Sequence, residues 1–175
     1  KNWKGDEGLV SEEWSGQRLD ELDMGTEPLD TSVIDQGYPA VNYAFFPVKN
    51  TKQYGDKNAA FGGYLNYYAG GFPSNTAGSS VHCLVPFPYL LYVLDRIFAS
   101  VGYTLTGAWR NDPDNASLVL YNNYTLDQVD GSNSNSYVSS ITWSNHMPKI
   151  TIAELLSALK VSLGIGYQWN TATKT

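Results

Sequence analysis

A single cysteine, Cys83, stands among 175 residues, which excludes an internal disulfide and leaves the fold to be held by packing alone. Histidine is nearly as scarce, with only His82 and His146. Charged residues make up 16% of the chain, and no basic stripe exists to neutralise phosphates, so nucleic acid is excluded as an expected partner. No apolar run approaches the length of a membrane span, and the N-terminus lacks the basic-then-apolar order of a signal peptide, so no membrane partner is expected. The chain opens on Lys1 and not on Met, which raises the expectation of a processed product or an excised fragment.

What is abundant is aromatic. With 13 Tyr and 5 Trp, aromatic residues reach 14%, a balance found in β-rich proteins that present broad uncharged surfaces, extracellular and assembly proteins among them. The length fits one domain, or two small ones sharing a core. Charge is placed unevenly. Residues 1–35 carry ten acids against Lys1, Lys4 and Arg18, a balance of −7, whereas the remaining residues carry seven acids against eight bases. This head also holds Trp3, Leu9, Val10, Trp14, Leu19, Leu22 and Met24 but no sustained helical or strand period. It reads as an acidic extended arm or linker that orders against a partner, with Trp3 and Trp14 as docking anchors. Residues 36–175 then form the folded domain.

Within that domain, Val41, Tyr43 and Phe45 alternate with Asn42 and Ala44 as in a strand, until Pro47 breaks the run. Residues 51–80 are rich in Gly, Asn, Ser and Tyr, with Gly-Gly pairs at 62–63 and 70–71, and read as a long loop or loose hairpin. Two helices follow with the same design. In the unit 86–109, Pro88 suits a first helical position, Leu90, Leu94, Ile97, Phe98 and Val101 share one face, Gly102 supplies the stop, and "YTLTGAW" (103–109) leaves as a strand. "RNDPDNA" (110–116) reads as a turn and "SLVLYNN" (117–123) as the answering strand of a hairpin. "DGSNSNS" (130–136) is a polar loop, and "YVSSITW" (137–143) is another strand. In the unit 148–170, Thr151 and Glu154 form a capping box and Ile150 with Leu155 a hydrophobic staple. Ile152, Leu155, Leu156, Leu159 and Leu163 make its buried stripe, Gly164 ends the helix, and "IGYQWN" (165–170) leaves as a strand. The expected fold class is α+β, a mainly antiparallel sheet covered by two amphipathic helices.

Candidates for chemistry are few, and no enzyme is expected. His82 and Cys83 are sequence neighbours, whose side chains point to opposite faces of an extended segment, and no motif supports a nucleophile built from Cys83, His146 and an Asn. His82, Cys83 and His146 lack the clustered spacing of a zinc site, and "DPDNAS" (112–117) departs from a calcium loop at Ala116, so no metal or other cofactor is expected. The one plausible ligand surface is Tyr64, Asn66, Tyr67 and Tyr68, because tyrosine offers a large flat face at low entropic cost; the plain alternative is that these rings pack as core.

The succession "FFPVKN" with "GYLNYYAGG" (45–71), "LVPFPYLLYVLDRIFASVGYTLTGAW" (84–109), "LVLYNN" (118–123) and "HMPKITIAELLSALKVSLGIGYQWN" (146–170) resembles tail proteins of phages and prophages from Bacteroides-type bacteria, of the baseplate or tail-hub class. The resemblance spans roughly 40–170 and rests on an ordered series of short motifs. It implies a virion structural protein, assembled in the host cytoplasm, whose partners are other tail or baseplate subunits or further copies of itself in a ring. The rival expectation is a secreted glycan-binding module that uses the Tyr/Asn/Gly-rich loop.

Overall fold

A computed structural model describes residues 14, 16–30, 32, 36–53, 63–67, 83–129 and 135–175. Trp3, Tyr68, His82, the Gly70–Gly71 pair and residues 130–134 of the polar loop lie outside the described residues.

Helix α1 spans Leu90–Ser100 and buries Leu90, Leu91, Val93, Leu94, Ile97 and Phe98, the apolar stripe expected from its spacing. Gly102 follows the C-cap Val101 at φ +77°, a left-handed conformation that glycine adopts without a Cβ clash. Pro88 is not its first helical residue. It lies instead in a short strand whose carbonyl accepts from Leu120 at 2.9 Å, and Tyr89 caps the helix. Two single-turn helices follow, α2 over Ala108–Asn111 and α3 over Pro113–Ala116, the latter begun by Asp112 accepting from the Asp114 amide at 3.0 Å. Helix α4 spans Ile152–Leu163 with the capping box complete: Glu154 N donates to Thr151 Oγ1 at 3.1 Å and Thr151 N to Glu154 Oε2 at 2.7 Å. Ile152, Leu155, Leu156 and Leu159 are buried and Gly164 is left-handed at φ +66°. Leu163 is exposed, because at the last turn it has passed beyond the core.

The fold is α+β, and its strands are short and antiparallel. Among the described residues they form four separate pairs: β1 (Thr26–Pro28) with β8 (Ser140–Thr142), β2 (Tyr43–Ala44) with β5 (Phe87–Pro88), β3 (Val48–Lys49) with β4 (Tyr64–Leu65), and β6 (Asp127–Val129) with β7 (Asn135–Tyr137). A continuous sheet is therefore replaced by small ladders pinned to a common core. That core gathers Trp14, Leu19, Leu22, Met24, Tyr43, Phe45, the stripe of α1, Ile141, Trp143 and the stripe of α4. A smaller cluster holds Leu65, Cys83, Val85 and Phe87.

The acidic head departs from the expected arm. Trp14, Leu19, Leu22 and Met24 are buried in the domain's own core, Leu19 N donates to Ile150 O at 2.8 Å, and β1 pairs with β8. Trp14 packs edge-on against Phe98 at 5.7 Å and against Trp169 at 5.6 Å, and its Nε1 donates to Ser100 Oγ at 3.3 Å. It is a core residue and not a docking anchor. The physical reason is that Glu21, Asp23 and Asp30 stay exposed while four apolar side chains gain roughly 1.5–3 kcal/mol each on burial.

The two segments after the helices also differ from expectation. Residues 103–106 and 165–170 form no strand and join no ladder among the described residues, and Trp109 belongs to α2. The segment 117–123 does pair, but with 88–90 in place of 103–109: Leu90 N donates to Leu118 O at 2.8 Å, and Tyr89 bridges Val119. Residues 110–116, expected as a turn, wind into α2 and α3 because Asp112 and Pro113 supply an N-cap and an N1 residue in succession.

Candidate functional site

Strand β4 and the turn that follows it carry two of the predicted ligand tyrosines to the surface. Tyr64 and Tyr67 are both exposed, with ring centroids 5.9 Å apart and planes tilted by 52°. Asn66, expected beside them, is fully buried. Its amide nitrogen donates to Phe46 O at 3.1 Å and Val85 O at 2.9 Å, and its oxygen accepts from Val85 N at 2.8 Å. A side-chain amide at φ +51° thus clamps two backbone segments; asparagine tolerates that conformation better than most residues. Asn66 is a structural bracket, and no ligand reaches it.

Sequence reasoning missed the neighbour of these rings. Tyr121, 55% exposed, stacks on the buried Phe87 ring at 5.5 Å with an interplanar angle of 28°. Its hydroxyl accepts from Asn50 Nδ2 at 3.2 Å, and Asn50 N donates to the carbonyl of Gly63, next to Tyr64. Gln53 Nε2 donates to Asn123 O at 2.7 Å. Asn50 thus ties Tyr121 to the start of β4. The signal in the sequence is "LYNN", whose composition by itself marks only a strand.

A second feature lies between the segments that follow the two long helices. Residues 103–110 and 165–169, with Leu94 and Phe98 from α1, line a cavity of about 200 Å³. Its walls are aromatic: Tyr103 meets Trp169 edge-on at 5.1 Å, and Phe98 lies 6.0 Å from Tyr167. Burial pushes the Tyr167 hydroxyl pKa up to about 12. Tyr167 Oη and Trp169 Nε1 are buried without a hydrogen-bond partner among the described residues. At the rim, Arg110 is committed to Asp95 through a 2.7 Å ion pair, and the Tyr38 hydroxyl donates to the same carboxylate oxygen. Lys174 sits 4.7 Å over the Tyr103 ring.

Among the titratable groups, burial drives the His146 pKa down to about 4, so the ring is neutral. Its Nδ1 lies 3.3 Å from Asn122 Oδ1, and the ring packs edge-on against Tyr124 and Trp143. Cys83 is buried beside Leu65. No group of three or more His, Cys, Asp and Glu that would hold a metal occurs among the described residues. No helix among them is long and apolar enough to cross a membrane.

No family model matches the chain, and neither the curated proteins nor the solved structures yield a significant match.

Proposed function

We propose that this chain is a structural subunit of a phage tail tip or baseplate, acting by packing against neighbouring subunits. The observation that carries the reading is the segment 165–169, strand-like in its burial pattern yet without a backbone partner among the described residues, and free of charge. Such a segment suits a surface made to be covered by another polypeptide. The motif series over 45–170, with its resemblance to tail proteins, gives the assembly its class. The test is composition: particles purified from an induced prophage of a Bacteroides-type host that encodes this chain are analysed by mass spectrometry, and labelled antibodies locate it by electron microscopy. Stoichiometric presence at the tail tip is expected. Its absence from intact particles overturns the reading.

A second reading is favoured by the Tyr121 face. An exposed ring stacked on a buried one, its hydroxyl held by Asn50, has the flat face that binds neutral sugars. Under it the chain is a secreted glycan-binding module, and Tyr121→Ala abolishes retention on a glycan array while leaving the fold intact. No retention by the unmodified chain removes this alternative.

A further inference from the structure

The cavity of about 200 Å³ beside residues 165–169 is enclosed by this chain itself: residues 103–110, Leu94 and Phe98 of α1, and Thr175 complete its lining. The turn that carries Thr175 is fixed by hydrogen bonds. Asn170 N donates to Thr175 O at 2.6 Å, and Thr104 N donates to Lys174 O at 2.9 Å.

Three properties of the lining define what it accepts. Phe98, Tyr103, Trp109, Tyr167 and Trp169 make it aromatic, so the body of a ligand must be apolar and suited to ring faces. The hydrogen-bonding groups left over are donors. Tyr167 and Trp169, two residues apart and both half-buried, carry Oη and Nε1 atoms that are buried without a partner among the described residues. An indole nitrogen only donates, and the burial that raises the Tyr167 pKa to about 12 keeps its phenol protonated. Two such atoms side by side cost stability, and native folds leave few of them. Charge gives the third property. No Asp or Glu lines the cavity; Asp95 cancels Arg110 through their 2.7 Å ion pair, and Lys174, 4.7 Å over the Tyr103 ring, leaves the surroundings positive. A cation is repelled there and an anion attracted.

We propose that this cavity binds a small arene carboxylate of the phenylacetate class, its ring against the aromatic walls and its carboxylate oxygens accepting from Tyr167 Oη and Trp169 Nε1. Both atoms are sealed in the wall, so the two side chains turn to present them, and the bonds then made offset the cost of leaving them unpaired. The site is independent of both readings above.

Titration calorimetry of the full chain with phenylacetate tests it, with tryptophan emission as a second signal from Trp109 and Trp169 in the wall. For a ligand of about ten non-hydrogen atoms the expected Kd is on the order of 1 mM or tighter. Two probes keep the ring and change the charge: neutral 2-phenylethanol and cationic 2-phenylethylamine should each bind at least about tenfold more weakly. Tyr167→Phe removes a single oxygen and should weaken phenylacetate about fivefold. It should also melt no lower than the unmodified chain, because an unpaired buried oxygen is gone, whereas a purely packing role for Tyr167 leaves affinity unchanged. Phenylacetate that gives neither heat nor an emission change overturns the site. Equal binding of the three probes, measured on the unmodified chain and so independent of any variant's folding, overturns the choice of a carboxylate, and a Tyr167→Phe chain that binds like its parent overturns the role of the donors.

Discussion

Trp143 Nε1 donates to Oε2 of Glu27 at 3.0 Å, and Asn42 Nδ2 donates to the same oxygen at 2.9 Å. One carboxylate on β1 thus binds the core indole and the segment entering β2. Glu27→Ala leaves the buried Trp143 N–H without its acceptor and should destabilise the fold by about 1–3 kcal/mol, while Glu27→Gln should cost less. Urea denaturation of both variants checks the difference; equal stability of Glu27→Ala and the unmodified chain would falsify the role assigned to Glu27.

Removal of residues 1–30 should unfold the domain, because it takes away Trp14, Leu19, Leu22, Met24 and the partner of β8. Trp14→Ala alone should cost about 3–5 kcal/mol through the cavity it leaves. Circular dichroism and thermal melting report both. A truncated chain with an undiminished cooperative melt would return the head to the status of a detachable arm.

At the helix ends, Gly102→Val and Gly164→Val should each cost about 1–2 kcal/mol by forcing a β-branched residue into left-handed backbone. The penalty is conformational, since a Cβ at either position meets nothing within 4 Å. Thr151→Ala should cost about 1 kcal/mol through the lost cap. Chemical denaturation midpoints measure all three, and glycine variants as stable as the parent would show that the left-handed stops are dispensable.

Stability should also depend on His146. Burial lowers its folded pKa from 6.5 to about 4, so between these values the unfolded chain binds a proton that the folded chain refuses. Stability is therefore complete above about pH 6.5 and declines as the pH falls toward 4, by at most ~1.4 kcal/mol per pH unit from this group. Comparison of His146→Gln with the unmodified chain at pH 7 and pH 5 isolates the contribution. The same acid sensitivity in both would assign it to the carboxylates.

The elements legible in the sequence are those specified by neighbours along the chain. The stripe Leu90, Leu94, Ile97, Phe98, the stop at Gly102 and the Thr151–Glu154 box all act within a few residues, and each appears as expected. What the sequence concealed depends on distant partners. Tyr103–Trp109 and Ile165–Asn170 have strand composition, but a strand needs a second backbone along its length, and among the described residues these segments meet one only at isolated points, Thr104 N donating to Lys174 O at 2.9 Å and Asn170 exchanging hydrogen bonds with Thr175. Trp14 is hidden by its acidic neighbours, because a charge count over 1–35 says nothing of which side chain turns inward. At the candidate surface, Tyr64 and Tyr67 were found by composition. Asn66 was assigned the wrong role because polarity alone does not distinguish a ligand from a backbone clamp, and Tyr121 was hidden by its distance in sequence from Asn50.

The pairing of Arg18 with Thr151 and of Thr26 with Thr142 has a consequence for biosynthesis. During translation the head emerges first, yet the groups that receive it are made more than a hundred residues later. At ribosomal speeds of roughly 5–20 residues per second, Trp14 and Leu19 wait on the order of ten seconds before their seat exists. Through that interval they are apolar surface on a nascent chain, and the net −7 of residues 1–35 is what keeps that surface solvated until the last helix arrives.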